Sequence, residues 1–214
     1  MTDDVRRSAD LFVDPFSALP REAPVERPPG RFKVPGEAGI WVFIFGDLLL
    51  FSLFFGVLVH ERSRDPELYE LGRSGLNLSF GAMNTLLLLT GSLFVVRGLE
   101  ALRRGDSKRG ARMILATMAC GLCFVIDKCV EYATEVGAGH TPSSNSFYMY
   151  YFVFTGIHLL HLLLGMAALA IMYRLARAPR TTAGNLRLLE AGACYWHLVD
   201  VLWIVLFALL YLMR

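Results

Sequence analysis

Apolar residues dominate five stretches of the chain, at 39–60, 76–97, 111–133, 146–173 and 188–213. Each is close to the roughly 20 residues that a helix needs to cross a bilayer core. Four are oily almost throughout, whereas the third turns charged toward its end at Asp127, Lys128 and Glu131. The pattern predicts an all-α fold, an integral membrane bundle of five transmembrane helices. The loops between the stretches are too short to fold separately, so 36–214 is read as one membrane domain.

Residues 1–35 break the pattern. Pro15, Pro20, Pro24, Pro28, Pro29 and Pro35 alternate with Arg, Asp and Glu, and no apolar stripe recurs at helical spacing. This segment is expected to be a disordered, Pro-rich tail on the cytoplasmic side. Asp3 and Asp4 open it and no apolar core follows, so it is not read as a signal peptide and the chain is expected to be retained whole.

Composition agrees with lipid as the solvent. Of the 214 residues 55% are hydrophobic and only 19% charged, and the mean hydropathy is positive. The net charge of +2 carries little information, but the placement of the cations does. Sixteen Lys and Arg lie in the tail and in the loops after spans two and four; only four lie in the alternate loops and at the C-terminus. The positive-inside rule then puts the amino terminus in the cytoplasm and the carboxyl terminus outside.

Polar residues within the spans are the candidate functional positions. A carboxylate at mid-membrane costs about 2.5–3.5 kcal/mol on insertion scales, so it normally faces the bundle interior and finds a partner. Asp47 sits in span one and Glu131 in span three, with Lys128 three residues before Glu131, where the two side chains can pair locally or snorkel. His158 and His161 are one turn apart in span four, as are His197 and Asp200 in span five. Interhelical hydrogen bonding between spans four and five is the leading reading of these four. Metal or haem ligation by the three imidazoles and a proton path through Asp47 and Asp200 are the competing ones. Tyr148, Tyr150, Tyr151, Tyr195, Trp196 and Tyr211 lie near span ends and fit interfacial anchoring.

The four cysteines all fall inside spans and read as packing residues, the C-x-x-C of Cys120 and Cys123 included. The loops carry no phosphate-binding glycine loop, no nucleophile elbow and no zinc spacing. The basic loop 97–110 suits an anionic lipid surface or an acidic partner, or simply fixes topology. Nothing points to nucleic acid.

Longer motifs add a resemblance. The stretches FYMYYFVFTGIHLLHLLLG (147–165) and EAGACYWHLVDVLWIVLF (190–207), opening on Glu190, resemble subunit III of the haem-copper oxidases, the cytochrome c oxidase subunit III family. K-x-x-E-Y at Lys128 to Tyr132, G-D-x-K at Gly105 to Lys108 and the intramembrane Asp47 also look like that family. The resemblance runs from about Pro35 to Arg214. It implies a non-catalytic subunit beside the catalytic subunit I and other subunits in a bacterial cytoplasmic membrane. It further implies structural phospholipids, no cofactor bound by this chain, and haem with copper or iron in the partner. The implied role is support of assembly, lipid binding, and proton uptake or durability of the catalytic subunit. Asp47, Glu131, His158, His161, Glu190, His197 and Asp200 would be polar positions of the bundle or its lipid cleft, with no catalytic residue. Five spans in place of seven resemble short forms found both in bacterial oxidases and in the relatives associated with nitric oxide reductase, and the opening PGEAGIWVFIFGD (35–47) resembles the latter in particular, which leaves the terminal acceptor open; Asp47 stands where oxidase members usually have Glu.

Overall fold

A computed structural model describes residues 38–178 and 183–213. The tail expected to be disordered lies outside the described residues. Six α-helices follow in order: α1 (Ala38–Arg64), α2 (Pro66–Gly75), α3 (Leu78–Arg103), α4 (Ser107–Gly137), α5 (Ser146–Ala176) and α6 (Ala183–Phe207). A π-helical turn, Ala208–Leu212, ends the last helix. Five helices, all but α2, are long and apolar enough to cross a membrane.

The helices outrun the apolar stretches that announced them. Span two reaches Arg103, span three runs from Ser107 to Gly137, and span one continues to Arg64. Hydropathy marks the part of a helix that lies in hydrocarbon. Where the helix stops is decided by capping: Asn77, Asp106 and Asn145 accept backbone N–H bonds from Ser79, Arg109 and Tyr148 at 2.9 to 3.0 Å. The α3–α4 turn is only three residues long, and Gly105 takes φ of +82° there, a conformation that costs glycine nothing.

The amphipathic helix α2 was not foreseen. Its signal is Asp65-Pro66-Glu67, an N-cap followed by Pro in the first turn and an acid near the helix start. It buries Tyr69 against Phe147 of α5, ring centroids 5.6 Å apart and edge to face. Burial pushes the Tyr69 phenol up to about 12.

The α3–α4 hairpin is the most closely packed pair. Gly98 and Gly110 face each other there, so that the backbones meet with no side chain between them. The main core gathers Leu88, Ile114, Phe124, Leu162, Trp196 and Trp203 from α3, α4, α5 and α6. Helix α1 is more peripheral. Its backbone lies nearest α6, while toward α5 it reaches out with Phe51, whose ring meets His161, and Phe54, which stacks on Phe154.

Candidate functional site: polar groups inside the bundle

The most completely satisfied polar cluster lies between α4, α5 and the end of α6. Lys128 and Glu131 are one turn apart on α4, with Nζ 2.9 Å from Oε2 and both side chains 1% exposed. The lysine therefore pairs locally but does not snorkel. It also donates to the Tyr151 hydroxyl at 3.2 Å and the Tyr211 hydroxyl at 3.0 Å. Both hydroxyls donate in turn to Glu131 Oε1, that of Tyr151 at 2.7 Å.

Aromatic faces close the shell. Lys128 Nζ lies 4.8 Å from the Tyr151 ring centroid and 5.3 Å from that of Trp203, within cation–π range. The ammonium group is thus paired with a carboxylate and donates to two hydroxyls of the bundle itself. Tyr132 extends the cluster, its hydroxyl 2.6 Å from Thr155 Oγ1, and Thr155 donates to the Tyr151 carbonyl.

This geometry corrects the assignment of Tyr151 and Tyr211 to membrane-interface anchoring. Both are buried, as are Tyr148, Tyr195 and Trp196. Position near the end of a span says how deep a residue sits, not which way its helix face turns. The signal available in the sequence was a lysine needing acceptors near the outer end of a span.

The histidine side chains do not hydrogen-bond spans four and five to each other as expected; across that seam the His158 ring packs on Trp203, and the Tyr195 hydroxyl donates to the His161 carbonyl at 3.3 Å. His161 turns toward α1, where its Nε2 lies 3.3 Å from Asp47 Oδ2. Its Nδ1 is 2.8 Å from the Ile157 carbonyl, which can only accept, so Nδ1 carries hydrogen. His197 turns toward α3 and bonds Ser92 Oγ. His158 is fully buried between Phe124 and Trp203, and neither ring nitrogen has a protein hydrogen-bond partner among the described residues. A one-turn spacing puts two side chains within 60° of each other around the helix, which at a packed interface is enough to send them to different neighbours.

Asp200 is buried on α6, with Oδ1 unpartnered among the described residues. Glu190, at the other end of α6, pairs with Arg103 of α3 at 2.7 Å near the membrane surface. The α3–α6 seam is also tied by Trp203, whose indole N–H donates to Thr85 Oγ1 at 3.1 Å. From sequence Ser92 reads only as a small residue that lets helices approach and Arg103 only as a cation that sets topology, and Thr85 carries no signal, because short hydroxyls and surface arginines are common in spans and loops of every kind. Among the described residues, no three His, Cys, Asp or Glu come together as a metal-binding group. The three imidazoles face different helices.

The arrangement holds helices in register: α1 to α5 through Asp47–His161, α3 to α6 through Ser92–His197 and Arg103–Glu190, and α4 to α5 and α6 through the Lys128 cluster. Residues 35–214 match the sequence model of the family described as cytochrome c oxidase subunit III. Cytochrome c oxidase subunit 3 of Sus scrofa is 31% identical over 179 residues, 81% of this chain and 67% of the relative. The same-named protein of Synechocystis sp. is 29% identical over 177 residues, 82% of this chain and 74% of the relative. Cytochrome bo(3) ubiquinol oxidase subunit 3 of Buchnera aphidicola is 27% identical over 179 residues, 81% of this chain and 92% of the relative. The chain belongs to the cytochrome c oxidase subunit III family.

Proposed function

We propose that this chain is the non-catalytic subunit III of a haem-copper oxidase, embedded beside the catalytic subunit I of a bacterial cytoplasmic membrane. The observation that carries the reading is the family match across all five spans. The Lys128 cluster and the Ser92–His197, Thr85–Trp203 and Arg103–Glu190 contacts support it: they tie helices to one another, the use expected of a scaffold subunit. In this reading haem and copper reside in the partner, and this chain contributes shape, lipid contact and durability of the catalytic subunit. The cation distribution favours a cytoplasmic amino terminus and an outer carboxyl terminus. Relatives named for both cytochrome c and ubiquinol leave two donor classes to distinguish.

Purification of the tagged chain from its native membrane tests this directly. A haem-bearing subunit should co-purify, its Soret band tracking the complex and absent from the chain alone, and the complex should consume oxygen. Recovery of a stable solitary chain, or of haem bound to the chain itself, overturns the proposal. Turnover of nitric oxide in place of oxygen would move the chain to a reductase assembly, the alternative that its opening segment resembles.

A further inference from the structure

We infer that His140 is a proton-operated latch for α2: its protonated ring draws the α4–α5 loop, the start of α5 and the end of α2 together, and its neutral ring lets α2 loosen. Three observations carry this.

The first is the way α4 ends. The Gly139 N–H donates to the Val136 carbonyl at 3.0 Å and the His140 N–H to the Glu135 carbonyl at 2.9 Å, with Gly139 at φ of +88°. This is the Schellman termination of a helix, in which the residue in the place of His140 commonly makes an apolar contact with the residue in the place of Glu135. Here the pair is ionisable. His140 Nδ1 lies 2.8 Å from Glu135 Oε2, with the carboxylate side chain 7% exposed and the imidazole 36%. The ionised carboxylate accepts from Nδ1–H, so a further proton binds at Nε2 and makes the hydrogen bond an ion pair.

The second is the stack beneath the ring. His140 lies on Tyr148 of α5, ring centroids 4.3 Å apart and 15° from parallel. Tyr148 is buried and meets Phe147 edge to face, and Phe147 meets Tyr69 of α2 in the same way. A cation is attracted to an aromatic face by the charge distribution of the ring, an attraction that a neutral imidazole lacks. Protonation therefore acts on the aromatic row that seats α2.

The third is the end of α2 itself. A Cβ on Gly75, the last residue of α2, would lie 2.9 Å from the Tyr148 hydroxyl and 3.9 Å from His140 Cε1. The ring thus lies beside the carbonyl end of the helix, where a positive charge is favoured. The neighbouring charges are already engaged: Arg73 near that end pairs with Glu70, and Lys128 further back on α4 pairs with Glu131. Thr141 and Ser144 of the loop bond to each other and carry no charge. Glu135, Tyr148 and the helix end remain, and all three attract a charged ring more than a neutral one.

In the orientation proposed above, this end of the bundle faces the outer medium and the latch answers to outer pH. That direction rests on the proposed orientation, whereas the latch is read on the solubilised chain whichever way it inserts. Hydrogen exchange of the full chain in detergent tests it, with the protection of residues 66–75 corrected for the chemical exchange rate at about pH 5.5 and about pH 8.5. Wild-type α2 should be protected on the order of 10-fold more strongly at the lower pH. His140→Gln should remove that response and Glu135→Gln should shrink it. His60→Gln, which replaces the exposed histidine near the end of α1, should leave it intact. Protection of the α3–α4 hairpin should match wild type in all three variants, which separates loss of the latch from loss of the fold. A full response in His140→Gln, a response shared by the α3–α4 hairpin, or a wild-type α2 indifferent to pH overturns the inference.

Discussion

Lys128 Nζ lies 2.9 Å from Glu131 Oε2 at a depth where each side chain is 1% exposed, and the hydroxyls of Tyr151 and Tyr211 bond to both partners. Desolvating two ions is costly, and the return comes only while both are present. Lys128→Met should therefore leave a buried carboxylate with two hydroxyl donors and no cation, lowering stability by about 3–5 kcal/mol. Adding Glu131→Leu should recover part of that loss, leaving a residue of about 1–3 kcal/mol for the unpaired tyrosine hydroxyls. Unfolding in mixed detergent and denaturant measures the cycle. Additive losses, or a single variant as stable as wild type, would show that the pair is not coupled.

Helix α1 depends on fewer ties. Its outward residues Val42, Leu49 and Leu53 are 64 to 76% exposed, and among the described residues its polar contact with α5 is the Asp47–His161 pair. Asp47→Leu should loosen α1 by about 0.6–1.7 kcal/mol, the range of interhelical polar contacts in membranes. Hydrogen exchange should quicken along α1 and stay unchanged in the α3–α4 hairpin. Uniform quickening throughout the bundle would assign the pair a global role instead.

How much of this was written in the sequence differs by kind of feature. The five spans were legible because each needs a long apolar run, and nothing else in a protein of this length produces five. The candidate residues Asp47, His161 and His197 were legible as polar groups in lipid, but their partners were not. Contacts across helices depend on rotation about each axis and on which helices are neighbours, and the expected bonds between spans four and five run instead to α1 and α3. Tyr151 and Tyr211 show the same limit from the other side, since depth along a span was read and direction was not. The π-helical turn at Ala208–Leu212, which carries Tyr211, leaves no trace in apolar periodicity.

A pH dependence follows for α2, outside the spans. Burial holds the Tyr69 phenol at about 12, above its ordinary 10.0. The folded chain thus favours the neutral form. The Tyr69 contribution to docking of α2 is present in full below pH 10 and is lost as pH rises through about 12. Difference absorbance at 295 nm between wild type and Tyr69→Phe should show one phenol titrating near pH 12. A step near pH 10 would mean that Tyr69 is solvated and α2 is not seated on Phe147.

Glycines of the bundle separate packing from propensity. A Cβ on Gly110 would lie 2.5 Å from Leu102 Cγ and 3.2 Å from the Gly98 carbonyl oxygen, whereas a Cβ on Gly46 of α1 would meet nothing within 4 Å. The Leu102 side chain can move, but the Gly98 backbone belongs to the closest helix pair and cannot yield without parting α3 from α4. Gly110→Val should cost about 1–3 kcal/mol through overpacking. Gly46→Ala should be neutral or stabilising by up to about 1 kcal/mol, because alanine restricts the unfolded chain and clashes with nothing. Unfolding of the isolated chain compares the two, and a reversed order would mean that the α3–α4 contact is looser than Gly98 and Gly110 make it.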